Sequence, residues 1–363
     1  MMKKYILFGD ASYNHVFKWY EELKLNFEVH VVTFAKKSDI PFKYGNLHSI
    51  EADVNSEGGN KNLILLLPKI KKIFKNINPV IVNAHYLTSY GFLSALLKNR
   101  NNFFLIQSTW GTDILVTPKK NILYKIITKY SLNKGNLITS DSLYMTEVIN
   151  SLSKNKVLTF PMGLKKENLK YNTVKNSFFT FLSLRTLNDN SQVDIIIKAF
   201  SLFVKNIDNN SKLLIAHRGE KEEELKTLVK KLHLEDQVIF LGFLKEKEYV
   251  EVIVKSNCYI SIPKSDALSV SLLETMAAET IPLVSNIPAN KEFINLRNGF
   301  ILPQNNENSL FLQMKKIYSL STKEINEIYS YNKELILKRA MLKDNFSFYI
   351  KSLEVAFNKN NNV

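Results

Sequence analysis

Two acidic residues stand eight positions apart, on either side of a serine-rich turn, in the second half of this 363-residue chain. Asp266 lies in a polar loop after a short apolar strand, and Glu274 lies in the first turns of the predicted helix that follows. Loops of this kind lie at the carboxyl ends of strands in α/β sheets, where ligands bind. The start of the next helix has unpaired N–H groups and a positive dipole end, which suit a phosphate. With one acid on each side of such a site, the pattern predicts a ligand that carries hydroxyl groups as well as a diphosphate. A nucleotide-sugar is a ligand of this kind.

A third charged residue follows another predicted strand. Phe181 to Leu184 is a mostly apolar run of strand length, and Arg185 comes directly after it. A guanidinium at the carboxyl end of a strand can hold a diphosphate through two parallel hydrogen bonds and neutralise its charge. The alternative interpretation is a surface arginine that ends a strand without binding a ligand.

Runs of strand length alternate with helix-period segments along almost the whole chain. The first set of predicted strands begins at Tyr5–Phe8 and ends at Val157–Phe160. After a polar stretch at residues 164–177, a second set begins with Phe178–Ser183. This alternation predicts parallel sheets with helices on both faces, and two consecutive sets predict two α/β domains. The tail from Lys323 onward predicts one or two further helices.

The segment from Tyr259 to Pro303 resembles the donor-site signature of the retaining glycosyltransferases of family 4. The shared features are two acids eight positions apart, a helix of small residues, a Pro-Leu-Val strand and a later Asn-Gly turn. In this chain they are Asp266, Glu274, Met276-Ala277-Ala278, Pro282-Leu283-Val284, Glu292 and Asn298-Gly299. The resemblance implies the GT-B fold, in which two Rossmann-like α/β domains with parallel sheets face a central cleft.

The same resemblance implies a division of roles along the chain. Residues 1–165 would form an acceptor-binding domain, and residues 170–340 would form the domain that binds the nucleotide-sugar donor. The closing residues, about 343–363, would form a helix that packs back on the first domain.

The resemblance also implies a role for each charged residue of the donor site. Glu274 would bind the ribose hydroxyls, Asp266 would hold the sugar, and Arg185 would stabilise the departing diphosphate. The family also has a lysine that contacts phosphate, but this chain has Ser191 at that position, so Lys264 is the predicted replacement cation. Further residues predicted to contact the donor are Ser269, Val270, Ser271, Gly219 and Gly242.

Both acids have a purely structural alternative. Ser271 to Glu274 is spaced as a capping box, in which Glu274 would only return a hydrogen bond to the start of the helix. Asp266 would then be an ordinary turn residue. The spacing of the acids, the flanking strand and the later Asn298-Gly299 together favour the ligand interpretation.

Polar and aromatic residues follow three predicted strands of the first half. By resemblance to the acceptor domain, the residues predicted to contact substrate are Gly9, Asp10, His15, His85, Trp110, Gly111 and Asp113. The first of these loops is not a G-x-G-x-x-G fingerprint, which argues against a dinucleotide. Family members often have a histidine where Trp110 stands, whereas an indole stacks on a sugar face and donates one N–H. The alternatives are a histidine without chemical function at position 15 and simple core packing at Trp110.

Positive charge concentrates in the first half of the chain. The net charge is +15, and residues 1–165 contain 22 Lys and Arg against 11 acids. Such a field favours an anionic lipid surface or nucleic acid, but no recognisable nucleic-acid motif accompanies it. The segment from Lys69 to Lys75 predicts a basic amphipathic helix. This helix would either dock on an anionic membrane or pack its apolar face against the core.

Composition narrows the class of protein further. The longest aliphatic run, Leu63 to Leu67, is far shorter than the roughly 20 residues that cross a bilayer. The apolar stretch after the first lysines is too short for the core of a signal peptide. The single cysteine, Cys258, excludes an internal disulfide and predicts a buried thiol. No Asp-x-Asp pair occurs and the six histidines are scattered, so neither a metal nor a cofactor is predicted. The predicted location is the cytoplasm, either free or at the inner face of the membrane.

These observations predict a retaining glycosyltransferase that moves a sugar from a nucleotide diphosphate of the UDP or GDP type to an acceptor hydroxyl. The predicted acceptor is a glycan or a lipid-linked glycan in surface polysaccharide, lipopolysaccharide or glycan biosynthesis, and no nucleic acid is expected as a partner. Two alternatives are open: a catalytically silent GT-B binding module, and a nucleotide-sugar epimerase on the same fold.

Overall fold

The protein divides into two compact units, residues 1–161 with 343–363, and residues 162–342. The computed structural model describes residues 2–54, 61–98, 102–169 and 174–361. Residues 170–173 of the predicted polar linker lie outside the described residues. Each unit is built on one parallel sheet flanked by helices, which confirms the predicted α/β class with two Rossmann-like units.

The first unit has a seven-stranded parallel sheet in the order β3-β2-β1-β4-β5-β6-β7. Its strands are β1 (Lys4–Phe8), β2 (Glu28–Thr33), β3 (Asn46–Ser49), β4 (Ile81–His85), β5 (Phe104–Ser108), β6 (Leu137–Ser140) and β7 (Val157–Thr159). Its helices are α1 (Asn14–Leu23), α2 (Leu67–Ile77), α3 (Phe92–Lys98), α4 (Thr117–Lys120), α5 (Ile122–Lys134) and α6 (Leu143–Leu152). Strands β4 and β5 are buried at every residue, as expected for central strands covered on both faces.

The second unit has a six-stranded parallel sheet in the order β10-β9-β8-β11-β12-β13. Its strands are β8 (Thr180–Ser183), β9 (Lys212–Ile215), β10 (Val238–Phe240), β11 (Cys258–Ser261), β12 (Ile281–Ser285) and β13 (Phe300–Leu302). The helices from here to the end of the chain are α7 (Val193–Asn206), α8 (Glu222–Lys231), α9 (Glu246–Lys255), α10 (Val270–Ala277), α11 (Pro288–Lys291), α12 (Glu307–Tyr318), α13 (Thr322–Arg339) and α14 (Leu342–Asn361). Burial raises the pKa of the Cys258 thiol in β11, in keeping with a structural role.

Each sheet has one place where the strand order reverses. In the first unit β1 lies between β2 and β4, and in the second β8 lies between β9 and β11. The connections that leave the two strands on either side of such a point run in opposite directions, so a crevice opens at the carboxyl ends of the strands. The topology therefore marks β1 with β4, and β8 with β11, as the places where ligands would bind.

The predicted basic amphipathic helix is α2, and its apolar face is part of the core. Ile70, Phe74 and Ile77 are buried in the same hydrophobic cluster as Ile6 and other residues of the sheet, while the lysines of α2 are exposed. The core-packing interpretation is therefore the correct one for this helix. Docking on a membrane through that apolar face is wrong, because the face is already covered.

The last helix, α14, packs against residues of β1 and α1. The hydroxyls of Tyr5 and Tyr349 are hydrogen-bonded at 2.8 Å, and the rings of Trp19 and Phe346 lie 4.9 Å apart in an edge-on contact. Residues 343–363 thus belong to the first unit although they follow the second in the chain.

Candidate functional site

The charged pair at the strand reversal of the second unit is Arg185 with Asp266. Arg185 follows β8 and Asp266 lies in the loop after β11, and these two strands are hydrogen-bonded neighbours. The Nη1 of Arg185 donates to the Oδ2 of Asp266 over 2.6 Å, and both side chains are mostly shielded from solvent. Two residues 81 positions apart are therefore brought together at the point where the fold predicts a ligand.

The surroundings of Arg185 hold its charge firmly. Burial alone would lower the pKa of Arg185, but the charge of Asp266 and hydrogen bonds to Asp266 and Tyr259 outweigh burial and raise that pKa above its ordinary value. The guanidinium is consequently a fixed positive group at the crevice. A group of this kind stabilises negative charge that develops on a bound phosphate.

A chain of hydroxyls leads from Arg185 to the start of α10. The Tyr259 hydroxyl, which helps to raise the pKa of Arg185, lies 2.9 Å from the hydroxyl of Ser271, and either oxygen can donate in that hydrogen bond. The Ser271 hydroxyl is in turn 2.8 Å from that of Ser269. Ser269 is the N-cap residue of α10, and its side chain does not cap the helix. The first N–H groups of α10 thus lie beside this network without a side-chain cap, as an anion site requires.

Glu274 lies on the same face of α10 as Ser271, one turn further along the helix. Its Oε2 accepts a hydrogen bond of 2.6 Å from the hydroxyl of Tyr249 on α9. Because α10 begins at Val270 with Ser269 as its N-cap, Ser271 is not at the capping position. The capping-box interpretation of Glu274 is therefore wrong, and the turn-residue interpretation of Asp266 does not account for its ion pair with Arg185.

Asn190 ties together the loops that carry Arg185 and Asp266. Its Oδ1 accepts from the N–H of Ser265, its Nδ2 donates to the carbonyl of Ser265, and its own carbonyl accepts from the N–H of Lys264. The position where the family has a lysine is occupied by Ser191, which is buried. Its hydroxyl donates to Asn188 over 2.9 Å, so Ser191 supports the loop rather than supplying charge. Lys264 is exposed on the same pair of loops.

The two glycines predicted in the second unit differ in what requires them. A side chain at Gly219 would place its Cβ 2.3 Å from the carbonyl oxygen of Leu187, so close backbone packing demands glycine there. Gly242 has a φ of +66°, a conformation that favours glycine, and its neighbour across the turn is the side chain of Arg218. The absence of a side chain at Gly219 therefore allows close packing against the loop after β8, which contains Arg185 and Leu187.

At the strand reversal of the first unit, four predicted residues cluster. A Cβ on Gly9, which follows β1, would lie 3.1 Å from the Cβ of His85, the last residue of β4. The ring centroid of Trp110 lies 4.1 Å from that of His15 and 5.3 Å from that of His85. The rings thus form one imidazole and indole cluster at the carboxyl ends of β1, β4 and β5.

The nitrogen atoms of this cluster are buried and unsatisfied. Among the residues that the structure describes, His15 Nε2, both ring nitrogens of His85 and Trp110 Nε1 have no hydrogen-bond partner. Buried polar atoms are nearly always paired, so such a set asks for an explanation, and a polar ligand provides one. Burial lowers the pKa of His15 to about 3, with a smaller lowering by Lys18. Burial also lowers the pKa of His85 well below its ordinary value, with a smaller lowering by the nearby His15 imidazole. Both imidazoles are therefore neutral at pH 7.

The remaining three predicted residues of the first unit hold loops in place. Asp10 Oδ1 accepts from the N–H and the hydroxyl of Ser12. Asp113 is fully buried, and its carboxylate accepts from the backbone N–H groups of Leu87, Trp110 and Gly111. Burial raises the pKa of Asp113, against the lowering effect of those hydrogen bonds. Gly111 has a φ of +111°. Asp113 and Gly111 accordingly fix the loop that presents Trp110.

Buried neutral histidines make the first unit sensitive to acid. The folded-state pKa of His85 is depressed, so below about pH 6.5 the unfolded chain binds a proton that the folded chain does not, and stability falls as pH falls. We expect His85 to lower the free energy of unfolding by about 1 kcal/mol between about pH 6.5 and 5.5, because the unfolded imidazole is only half protonated at the upper end of this range. Both tryptophans, Trp19 and Trp110, lie in the first unit, so fluorescence-detected urea unfolding reports on it. In His85→Leu the slope should be shallower by about that amount, and equal slopes would contradict the assignment.

Three residues of the donor-side network were not predicted from the sequence. They are Asn190, Tyr249 and Tyr259, and each acts through a hydrogen bond to a residue far away in the chain. Tyr259 stands in a strand run and Tyr249 in a helix pattern, where an aromatic residue predicts core packing. A local signal existed only for Asn190, which lies in a turn-forming polar stretch just after Arg185.

Two further properties concern the described residues as a set. No three His, Cys, Asp or Glu side chains in these ranges are close enough to hold a metal ion together. No helix of the described chain has the length and apolar character needed to cross a bilayer.

Two family models match this chain, one for each half. The model described as glycosyl transferase 4-like matches residues 4–142, and the model described as glycosyl transferases group 1 matches residues 165–335. The second match contains Arg185, Asp266 and Glu274, and the first contains His15, His85 and Trp110.

Relatives and a solved structure agree with these matches. An uncharacterized glycosyltransferase of Methanocaldococcus jannaschii is 25% identical over 82% of this chain and 81% of its own length. A Campylobacter jejuni enzyme, N-acetylgalactosamine-N,N'-diacetylbacillosaminyl-diphospho-undecaprenol 4-alpha-N-acetylgalactosaminyltransferase, is 22% identical over 81% of this chain and 82% of its length. The crystal structure of HepE from Anabaena in complex with UDP-glucose superposes with a TM-score of 0.78, covering 98% of this chain and 100% of that one at 12% identity. This chain belongs to the group 1 glycosyltransferases of the GT-B fold, with a glycosyl transferase 4-like first half, and is a hexosyl-transferring enzyme.

Proposed function

We propose that this enzyme transfers a hexosyl group from a nucleotide-diphosphate sugar to an acceptor hydroxyl with retention of the anomeric configuration. The observation that carries the proposal is the Arg185–Asp266 ion pair of 2.6 Å beside the uncapped start of α10. A fixed cation, free helix N–H groups and two carboxylates within one crevice match the parts of such a donor: a diphosphate, a sugar and a ribose.

Each group has a distinct role in this proposal. Arg185 and the first N–H groups of α10 hold the diphosphate and stabilise the charge that it gains as the glycosidic bond breaks. Asp266 accepts hydrogen bonds from hydroxyls of the sugar, and Glu274 accepts hydrogen bonds from the ribose hydroxyls. Tyr249 keeps the Glu274 carboxylate oriented through their 2.6 Å hydrogen bond.

The proposed stereochemistry follows from what these groups can do. The departing diphosphate oxygen takes the proton of the incoming hydroxyl, and that hydroxyl forms the new glycosidic bond on the face from which the diphosphate leaves. The Asp266 carboxylate is engaged in an ion pair with the guanidinium of Arg185, so attack by Asp266 on the sugar would have to break that pair and is disfavoured. The cation that offsets the leaving charge is Arg185, and we propose that transfer needs neither a metal nor another cofactor.

The relatives guide the substrate classes that we propose. HepE is seen with UDP-glucose, which supports a UDP-type sugar as donor here, with a GDP-type sugar as the alternative. The Campylobacter relative is named for an acceptor on diphospho-undecaprenol, which supports a glycan or lipid-linked acceptor. We place the reaction in surface polysaccharide, lipopolysaccharide or glycan biosynthesis, at the anionic inner face of the cytoplasmic membrane. The His15, His85 and Trp110 cluster is the proposed acceptor-side contact, because its buried nitrogen atoms await polar partners.

Calorimetric titration with UDP and GDP, followed by NMR of the transferred sugar, tests the proposal. We expect one of the two diphosphates to bind, the product to keep the donor's anomeric configuration, and turnover to persist in EDTA. Inversion at the anomeric carbon would contradict the retaining mechanism, and loss of turnover in EDTA would contradict independence of metal. Binding without any turnover of donor would favour a catalytically silent module instead.

A further inference from the structure

The outer face of α5 carries apolar side chains that the core does not use. Thr128, Ser131 and Leu132 form its buried face. On the opposite side Ile122 is 72% exposed and Ile126 is 57% exposed, one turn apart on the helix. An amphipathic helix of a soluble domain normally turns its apolar residues inward, so this arrangement is the reverse of the one found in α2.

Lysines share the exposed side of α5 with these apolar residues. Leu123 is 52% exposed, and Lys125 and Lys129 are exposed on the same helix. We call Ile122, Leu123, Lys125, Ile126 and Lys129 the α5 patch.

The charge around the α5 patch has one sign over a long stretch. Between Asp113 and Asp141 the sequence has five lysines and no acidic residue. Lys119 and Lys120, which end α4 just before the patch, are exposed as well. The patch therefore combines exposed apolar side chains with lysines, in a segment of the sequence that carries positive charge only.

We propose that the α5 patch docks the enzyme on an anionic lipid bilayer. Exposed Ile and Leu side chains enter the boundary between headgroups and acyl chains, while the long lysine side chains lie along the surface with their ammonium groups at the phosphates. Each lysine near an anionic leaflet adds to the attraction, and the attraction is screened by salt. The proposal deepens the proposed function. It rests on that function in one respect, because a lipid-linked acceptor is the reason why the enzyme would dock on a membrane.

Charge favours a bilayer over a second copy of this chain as the occupant. In a two-fold dimer the same patch would meet itself, and Lys125 and Lys129 would face the like charges of the partner. Like charges set against each other oppose association. An anionic membrane instead complements both the apolar and the cationic parts of the patch.

Sedimentation of the full-length protein with lipid vesicles tests the proposal without using transferase activity. The wild type should bind vesicles of phosphatidylcholine with phosphatidylglycerol and should bind those of phosphatidylcholine alone at least about tenfold less. Binding should weaken when salt rises from about 0.1 to about 1 M, because the Debye length shortens from about 10 to about 3 Å.

Two variants divide the apolar contribution from the electrostatic one. The combined change Ile122→Ser, Leu123→Ser and Ile126→Ser should lower partition onto anionic vesicles by about tenfold or more, because three exposed apolar side chains lose their burial in lipid. The pair Lys125→Glu and Lys129→Glu should cause a loss of similar size. Neither variant removes a buried side chain.

Matched controls come from exposed residues elsewhere. Leu312→Ser, Leu337→Ser and Val355→Ser together replace side chains that are 60%, 49% and 53% exposed, and this variant should bind vesicles as the wild type does. Lys333→Glu with Lys338→Glu should lower binding far less than the lysine pair of α5.

Four results would overturn the proposal. The first is a wild-type protein that does not bind anionic vesicles, and the second is α5 variants that bind them as the wild type does. The third is control variants that lose as much binding as the α5 variants. The fourth is a dimer of the wild type in solution that becomes a monomer in the triple serine variant. Nucleotide titration of the same variants keeps the two proposals separate. A variant that binds UDP or GDP normally but loses vesicle binding is impaired in membrane docking alone. A variant that binds vesicles normally but loses nucleotide binding is impaired in the donor site alone.

Discussion

Replacement of Arg185 by glutamine is expected to lower kcat for sugar transfer by about 10²–10³-fold, the cost of removing one preorganised group that stabilises developing charge. The physical reason is that Arg185 is held between Asp266 and Tyr259, so it meets the leaving diphosphate without reorganisation. Glutamine retains donors but carries no charge. Initial rates of transfer at saturating donor measure the effect, and an unchanged kcat would remove Arg185 from the proposed catalytic role.

Two comparisons make the Arg185 result specific. Arg185→Lys retains a charge but loses the planar fork, so its kcat should lie between those of the wild type and the glutamine variant. Arg297→Gln removes an exposed arginine of the same unit and should leave kcat unchanged. Loss of the buried partner also leaves Asp266 with an unpaired charge, so thermal unfolding of each variant must be measured beside its activity.

The second large effect is expected at Glu274. Glu274→Gln keeps the shape of the side chain but replaces an ionised acceptor, and hydrogen bonds to charged groups contribute about 1.5–3 kcal/mol. We therefore expect kcat/KM for the donor to fall by about 10–100-fold, mainly through a higher KM. Steady-state rates over a range of donor concentrations separate KM from kcat.

A substrate analogue identifies the contact that Glu274 makes. If Glu274 binds the ribose hydroxyls, a 2′,3′-dideoxy nucleotide donor should lose as much with the wild type as Glu274→Gln loses with the natural donor. The two changes together should then cost little more than either alone, because they remove the same interaction. Fully additive losses would show that Glu274 does not contact the ribose hydroxyls. Glu327→Gln, at an exposed glutamate of the same unit, is the matched control.

Local sequence signals predicted much of the scaffold. Strands such as Phe104–Ser108 are short apolar runs, and short apolar runs between helix-period segments are sufficient to predict a parallel α/β unit. The edge strand Asn46–Ser49 was not predicted, because its sequence is polar and lacks the pattern of a strand. Only its pairing with β2 in the folded protein makes it a strand. The spacing of Asp266 and Glu274 likewise indicated a site, because both residues belong to one loop and the helix that follows it.

The interaction partners of those residues could not be predicted from the sequence. Arg185 and Asp266 are 81 positions apart, and the hydroxyl of Tyr249 is 25 positions from Glu274, so only strand order and helix packing bring them within 2.6 Å. Whether Glu274 closes a capping box with Ser271 depended on where α10 begins, which the neighbouring serines alone do not fix.

The charge distribution illustrates the same division. The sequence determined that the first half is basic and contains amphipathic helices, because composition and the 3.6-residue period are local properties. It did not determine which apolar face the core covers, since that depends on the surface that each helix meets in the sheet. Tertiary packing buried Ile70, Phe74 and Ile77 of α2 and left Ile122 and Ile126 of α5 in solvent. Sequence therefore specified the chemical groups and their local order, and only the folded chain decided which of them are exposed, paired or poised to bind.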